Sequence, residues 1–216
     1  IIVLNVYNER LLRLLAETQI PKVFLDTSSL VAPDELNGDL LLMESRTSVR
    51  RITSHLLEQG RTLPGFIGDI GYAQSNRERY EGFCQALADA GKKVDSSLCL
   101  TTPLGIDTYR EEIDTFLSSL SRMPDAFVCA SDYVACILMQ LLEKRGLRVP
   151  EDVAVSGFDN NTEDLLAEHL TTVQVFNEEL GARLALQILY RIKYPNTPHE
   201  ITYLGTNVLY RDSTGD

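Results

Sequence analysis

From end to end, short charge-free runs alternate with longer amphipathic ones. Val23–Leu25, Gly65–Gly68, Ala126–Ala130 and Val153–Phe158 carry no ionisable side chain except cysteine. That is the composition of strands buried on both faces. Ser48–Gln59, Asn76–Ala90, Asp132–Arg145 and Glu178–Lys193 have helical spacing, and Gly60, Gly91 and Gly146 stand just past the first three, where a helix is usually stopped. Further strands are predicted at Ile1–Leu4, Asp39–Met43, Leu98–Leu100, Thr171–Val175 and Thr202–Tyr210. Further helices are predicted at Glu9–Glu17, where Leu11, Leu12, Leu14 and Leu15 make the apolar face, and at Asp107–Leu120. A bare strand followed by an amphipathic helix, repeated, describes an open, doubly wound α/β architecture with right-handed crossovers. About eight or nine such units exceed one comfortable open sheet, so two α/β lobes are expected. A barrel is the rival; the unequal loops and the weak strand near Leu98 stand against it.

In open parallel sheets, ligands sit beyond the carboxyl ends of the strands. Those ends carry Asp26, Asp69, Ser131-Asp132, Asp159 and Phe176-Asn177. Carboxylates, a hydroxyl and an aromatic ring suit a neutral polyol and repel a phosphate. Arg79, in the segment RERYEGF over 77–83, adds a guanidinium fork that can hold two adjacent hydroxyls. Each residue also has a plainer reading. Ser131 or Asp132 could simply cap the helix that starts there, and Asp159-Asn160-Asn161 could be an Asx turn. Arg79 could belong to a solvated charged face with Arg77 and Glu78. Asp26 and Asp69 could be satisfied by solvent, and Phe176 could be core.

With 20 basic against 31 acidic side chains the net charge is −11, which argues against this chain itself gripping nucleic acid. No apolar run approaches the roughly 18 residues of a membrane span. There is no G-x-S-x-G elbow, G-x-G-x-x-G fingerprint or P-loop, so an enzyme is not expected, nor a cofactor. Cys84, Cys99, Cys129 and Cys136 lie in apolar stretches without a C-x-x-C pair, and His55, His169 and His199 are scattered. Free thiols in a reducing compartment are expected, and no metal site.

The stretch Met123–Asn160, MPDAFVCASDYVACILMQLLEKRGLRVPEDVAVSGFDN, resembles the effector-binding domain of the lactose/galactose-repressor family of bacterial transcription regulators. RERYEGFCQAL, LTTVQ over 170–174 and LYRDST over 209–214 stand in that family's order; IIVLN, IPKVFLD and HLLEQGR…PGFIGD match more loosely. The resemblance implies two lobes of the type I periplasmic-binding-protein kind. Residues 1–60 with 176–203 would form the N-terminal lobe and 61–175 with 204–216 the C-terminal lobe. It implies that Arg79 and Asp159 bind the hydroxyls of a small effector, a sugar, with Asp26 a weaker candidate. Ser131 stands where an Asn usually reaches the ligand, and Val175 where a Gln is common; Phe176 makes that rim more apolar. Family members begin with a helix-turn-helix reader, a hinge and two strand–helix units, none of which precedes IIVLN here. The resemblance therefore implies an incomplete N-terminal lobe with Ile1–Leu4 at an exposed edge. It also implies a cytoplasmic homodimer that meets operator DNA only through the absent domain. A periplasmic sugar-binding protein of a transporter is the alternative.

Overall fold

The computed structural model describes residues 1–105, 107–161 and 168–216. Two four-stranded sheets, each wholly parallel, organise it. The first is built from β1 (Ile2–Leu4), β2 (Val23–Leu25), β3 (Asp39–Met43) and β9 (Ile201–Leu204), in the order β1-β2-β3-β9. The second takes β4 (Pro64–Ile67), β5 (Cys99–Leu100), β6 (Ala126–Cys129) and β7 (Ala154–Ser156), in the order β5-β4-β6-β7. A separate antiparallel pair, β8 (Thr172–Gln174) with β10 (Asn207–Leu209), runs beside the end of β7 through bridges at Ser156–Thr171 and Asp159–Gln174. Among the described residues six α-helices accompany them: α1 (Glu9–Glu17), α2 (Arg46–Glu58), α3 (Gln74–Asp89), α4 (Tyr109–Ser119), α5 (Asp132–Lys144) and α6 (Asn177–Lys193). None among the described residues is long and apolar enough to cross a membrane.

The charge-free strands are explained by cores on both sides of each sheet. In β6, Phe127 and Cys129 join one apolar cluster with α4 and α5, while Ala126 and Val128 join another with α2 and α3. In β3, Leu41 enters that same α2–α3 cluster, while Leu40 and Leu42 pack with Leu12 of α1 and Phe24. The central cluster thus draws on both sheets, with Val49, Ile52 and Leu56 of α2 among its members. Helix ends follow the sequence punctuation. Gly146 takes a positive φ of 73°, and the amide of Leu147 reaches back to the carbonyl of Leu142 at 3.0 Å. β1 lies at the edge of its sheet, with Val3 buried but Ile2 and Leu4 exposed. On α1 only Leu12 is fully buried; Leu11 and Leu14 face solvent. Of the expected apolar face, Leu12 and Leu15 pack against the core, while Leu11 and Leu14 do not.

Candidate functional site

Because both sheets are parallel, each gathers its strand carboxyl ends at one edge, and a cavity of about 370 Å³ lies between the two edges. From the first sheet it receives Asn5, Asp26 and Met43, which follow or end β1, β2 and β3. From the second it receives Arg79 of α3, Ser131 and Asp159, and Val175 lines it from beyond β8. Three of these residues hold positive φ without being glycine: Asn5 at 51°, Asp26 at 59° and Asp159 at 112°. Such conformations cost of order 1–3 kcal/mol each, and they concentrate where a chain must present groups to a ligand.

Arg79 is 4% exposed. Its guanidinium carbon lies 3.7 Å from the centroid of the Phe158 ring, a cation–π arrangement. It donates to the carbonyl of Ala130 and lies 3.5 Å from Asp159 Oδ1, while its Nε–H has no partner. The donor fork is fixed in direction yet not used up. The side chain of Asp159 faces the cavity and has that one long contact. Enclosure by the surrounding protein pushes its carboxyl above the ordinary value, and Arg79 opposes the shift.

Asp26 is placed differently. It is 2% exposed and both its oxygens are occupied. Oδ1 accepts from the amide of Thr27 at 2.8 Å, and Oδ2 accepts from the hydroxyls of Ser75 at 2.6 Å and Tyr7 at 3.3 Å. Ser75 belongs to α3, so this carboxylate joins the two lobes. The junction continues along the chain: Gln74 N–H donates to Thr27 O at 2.8 Å, Ser28 and Ala73 form an antiparallel bridge, and the rings of Tyr7 and Tyr72 stand 4.3 Å apart. One side of the cavity is therefore a seam between residues 26–29 and 72–75. Burial, with Asp26 and Tyr72 adding to it, raises the pKa of the Tyr7 phenol, so Tyr7 serves as a neutral donor.

Five of the six residues expected at the site line this cavity: Arg79, Asp159, Ser131, Asp26 and Val175. Ser131 also caps α5, its hydroxyl accepting from Val134 N–H at 3.3 Å; the two readings of that residue are compatible. Phe176 does not line the cavity. It occupies the N-cap position of α6 and is 37% exposed, because a one-residue step along extended backbone reverses the side-chain direction and Val175 takes the inward place. Asp69 is outside the lining too, its Oδ1 accepting from Gly71 N–H at 2.8 Å. Asn5, Tyr7, Tyr72 and Ser75 were not anticipated. Asn5 stands directly after a strand, so the rule that found Asp26 applies to it equally. The two tyrosines lie on loops, where spacing carries no information. Among the described residues no group of His, Cys, Asp and Glu is placed to hold a metal ion. Cys129 and Cys136 are buried, and Cys84 and Cys99 are half-buried.

Two doubly wound lobes with a polar cavity between their strand ends define a ligand-binding fold of the periplasmic-binding-protein type. The family model described as "Periplasmic binding protein-like domain" matches residues 53–214, three quarters of the chain, and the chain belongs to that family, in the form carried by regulators of the LacI type. It is 31% identical over 170 residues to the HTH-type transcriptional regulator DegA of Bacillus subtilis, covering 78% of this chain and 48% of that protein. It is 29% identical to the HTH-type transcriptional repressor PurR of Aliivibrio fischeri, covering 95% of this chain and 61% of that protein. Among solved structures, the complex of the transcriptional regulator CelR with cellobiose superposes with a TM-score of 0.86 at 27% identity, covering 98% of this chain and 64% of that one. The chain thus spans about half to three fifths of the length of these curated relatives.

Proposed function

We propose that this chain is the ligand-sensing part of a DNA-binding transcription regulator, and that it binds a small neutral effector, a sugar, in the cavity between its lobes. The observation that carries this reading is the convergence of an incompletely satisfied guanidinium and a cavity-facing carboxylate on the same space. Arg79 and Asp159 would hold adjacent hydroxyls, Ser131 would offer a third polar contact, and Val175 would meet the effector's apolar face. Asp26 would act from the first lobe, and Phe176 would shape the outer rim. We assign residues 1–60 with 176–203 to the first lobe and 61–175 with 204–216 to the second, with α2 packed in the core they share.

Binding would favour the closed arrangement by the difference in affinity between closed and open forms, a coupling of about 1–3 kcal/mol in typical cases. In a cytoplasmic homodimer, that shift would change the spacing of two helix-turn-helix readers supplied by the longer protein, and hence operator affinity. No turnover of the effector is involved. The regulatory character of the relatives favours this reading over a transporter component. Calorimetric titration with neutral sugars, cellobiose and ribose first, tests it. Saturable heat without product is expected, and sugar consumption would contradict it.

A further inference from the structure

Among the buried carboxylates that the effector reading leaves unused, Asp132 joins the segments that build the cavity wall. Asp132, the first residue of α5, is 2% exposed. Its Oδ1 accepts from the hydroxyl of Thr172 at 2.6 Å and its Oδ2 from the amide of Asn161 at 2.8 Å, while its own amide donates to Phe158 O at 2.8 Å. Because Thr172 gives its hydroxyl proton to Asp132, its oxygen is free to accept, and Asn160 N–H donates to it at 3.2 Å. A Cβ on Gly157 would sit 2.2 Å from Oδ1, so the turn after β7 can approach this closely only with glycine there. The joined segments are the start of α5, the turn after β7 and strand β8. They carry Ser131, Asp159 and Val175, all three lining the cavity. Asp159 and Asn160 hold positive φ of 112° and 51°, a conformation that needs anchoring from outside the turn.

We propose that Asp132 is a positioning residue for the effector site, holding these three segments in register, and that it holds them more firmly when neutral than when ionised. This rests on the effector reading only for its consequence in binding. Burial raises the carboxyl from 3.8 to about 6, against the opposing effect of the Thr172 hydroxyl and the Asn161 amide. Among the described residues, the ionisable groups that act on it are Asp159, which disfavours its charge, Arg211, which favours it, and the thiol of Cys129 at the end of β6. A carboxyl with a higher pKa where the three segments are joined than where they have opened locally to solvent takes up a proton as they join, so acidification favours the joined form. For a rise from 3.8 to about 6, opening becomes about tenfold rarer between pH 7.5 and pH 5.

The test is amide hydrogen exchange of the full chain, resolved by residue and corrected for the intrinsic rate, across that pH range. Protection of Asn160 and Asn161 is expected to rise about tenfold on acidification while Leu41 in the first sheet stays level. Asp132→Asn should remove most of the pH dependence, leaving the part due to Asp159, and Thr172→Val should lower protection of Asn160 at every pH. A flat profile, a rise shared equally by Leu41, or an unchanged profile in Asp132→Asn overturns the proposal. Should Asp132→Asn fail to fold, the native profile and Thr172→Val decide. A parallel calorimetric titration with cellobiose separates the two readings. Thr172→Val, which takes a bond from the wall without altering a cavity-lining residue, should weaken that binding severalfold, and unchanged affinity with lowered protection of Asn160 overturns the link to the site. No binding by the native chain counts against cellobiose as the effector, and the exchange profile still decides the role of Asp132.

Discussion

The two walls of the cavity use the same chemistry for opposite ends. On the first lobe's wall, Asp26 has every contact filled from within: an amide beside it in the chain, a serine hydroxyl from the other lobe and a tyrosine. On the second lobe's wall, Arg79 keeps an unpaired Nε–H and meets Asp159 only at 3.5 Å. The comparison teaches that Asp26 is committed to joining the two lobes, whereas Asp159 meets Arg79 only at 3.5 Å on the opposite wall.

Breaking the second wall should have the largest effect. Arg79→Met removes the donor fork and the stack on Phe158, and effector affinity should fall by about 3 kcal/mol, or more than roughly a hundredfold, as measured by calorimetry. Asp159→Ala comes next, at roughly 1.5–3 kcal/mol of lost affinity, the usual scale for a charged hydrogen-bond partner. Its effect on thermal stability should be small, since among the described residues its carboxylate meets Arg79 at the long distance of 3.5 Å. Ser75→Ala, which leaves Asp26 Oδ2 only its longer bond from Tyr7, should cost about 1 kcal/mol in affinity and appear as a wider scattering envelope without ligand. Phe176→Ala should change affinity by less than about 0.5 kcal/mol, because the ring lies outside the cavity. If Ser75→Ala weakened binding more than Asp159→Ala, the division of labour between the walls would be reversed.

Much of this was legible before any coordinates. Charge-free strands and glycine-stopped helices set the α/β alternation, and the rule that ligands sit at strand carboxyl ends located Asp26, Ser131 and Asp159. Arg79 followed from its place one turn into the helix after β4. What periodicity could not supply was the direction of single side chains and the company of loops. Phe176 was expected beside Val175, but adjacent residues in extended backbone face opposite ways. Tyr7 and Tyr72 are 65 residues apart and meet only because the lobes face each other. Asp132 looked like a helix cap, yet Ser131 takes that role and Asp132 turns to β8 and the turn after β7. Capping preferences favour Ser and Asp alike, so the choice between neighbours was settled by tertiary packing.

The most direct measurement is a paired calorimetric titration of the native chain and Asp159→Ala with whichever neutral sugar a thermal-shift screen, begun with cellobiose and ribose, shows to stabilise the native chain. Saturable binding that weakens at least tenfold in Asp159→Ala, with the melting temperature of the unliganded variant nearly unchanged, is the expected result. A sugar that binds both chains equally well would contradict the placement of the effector between the two walls.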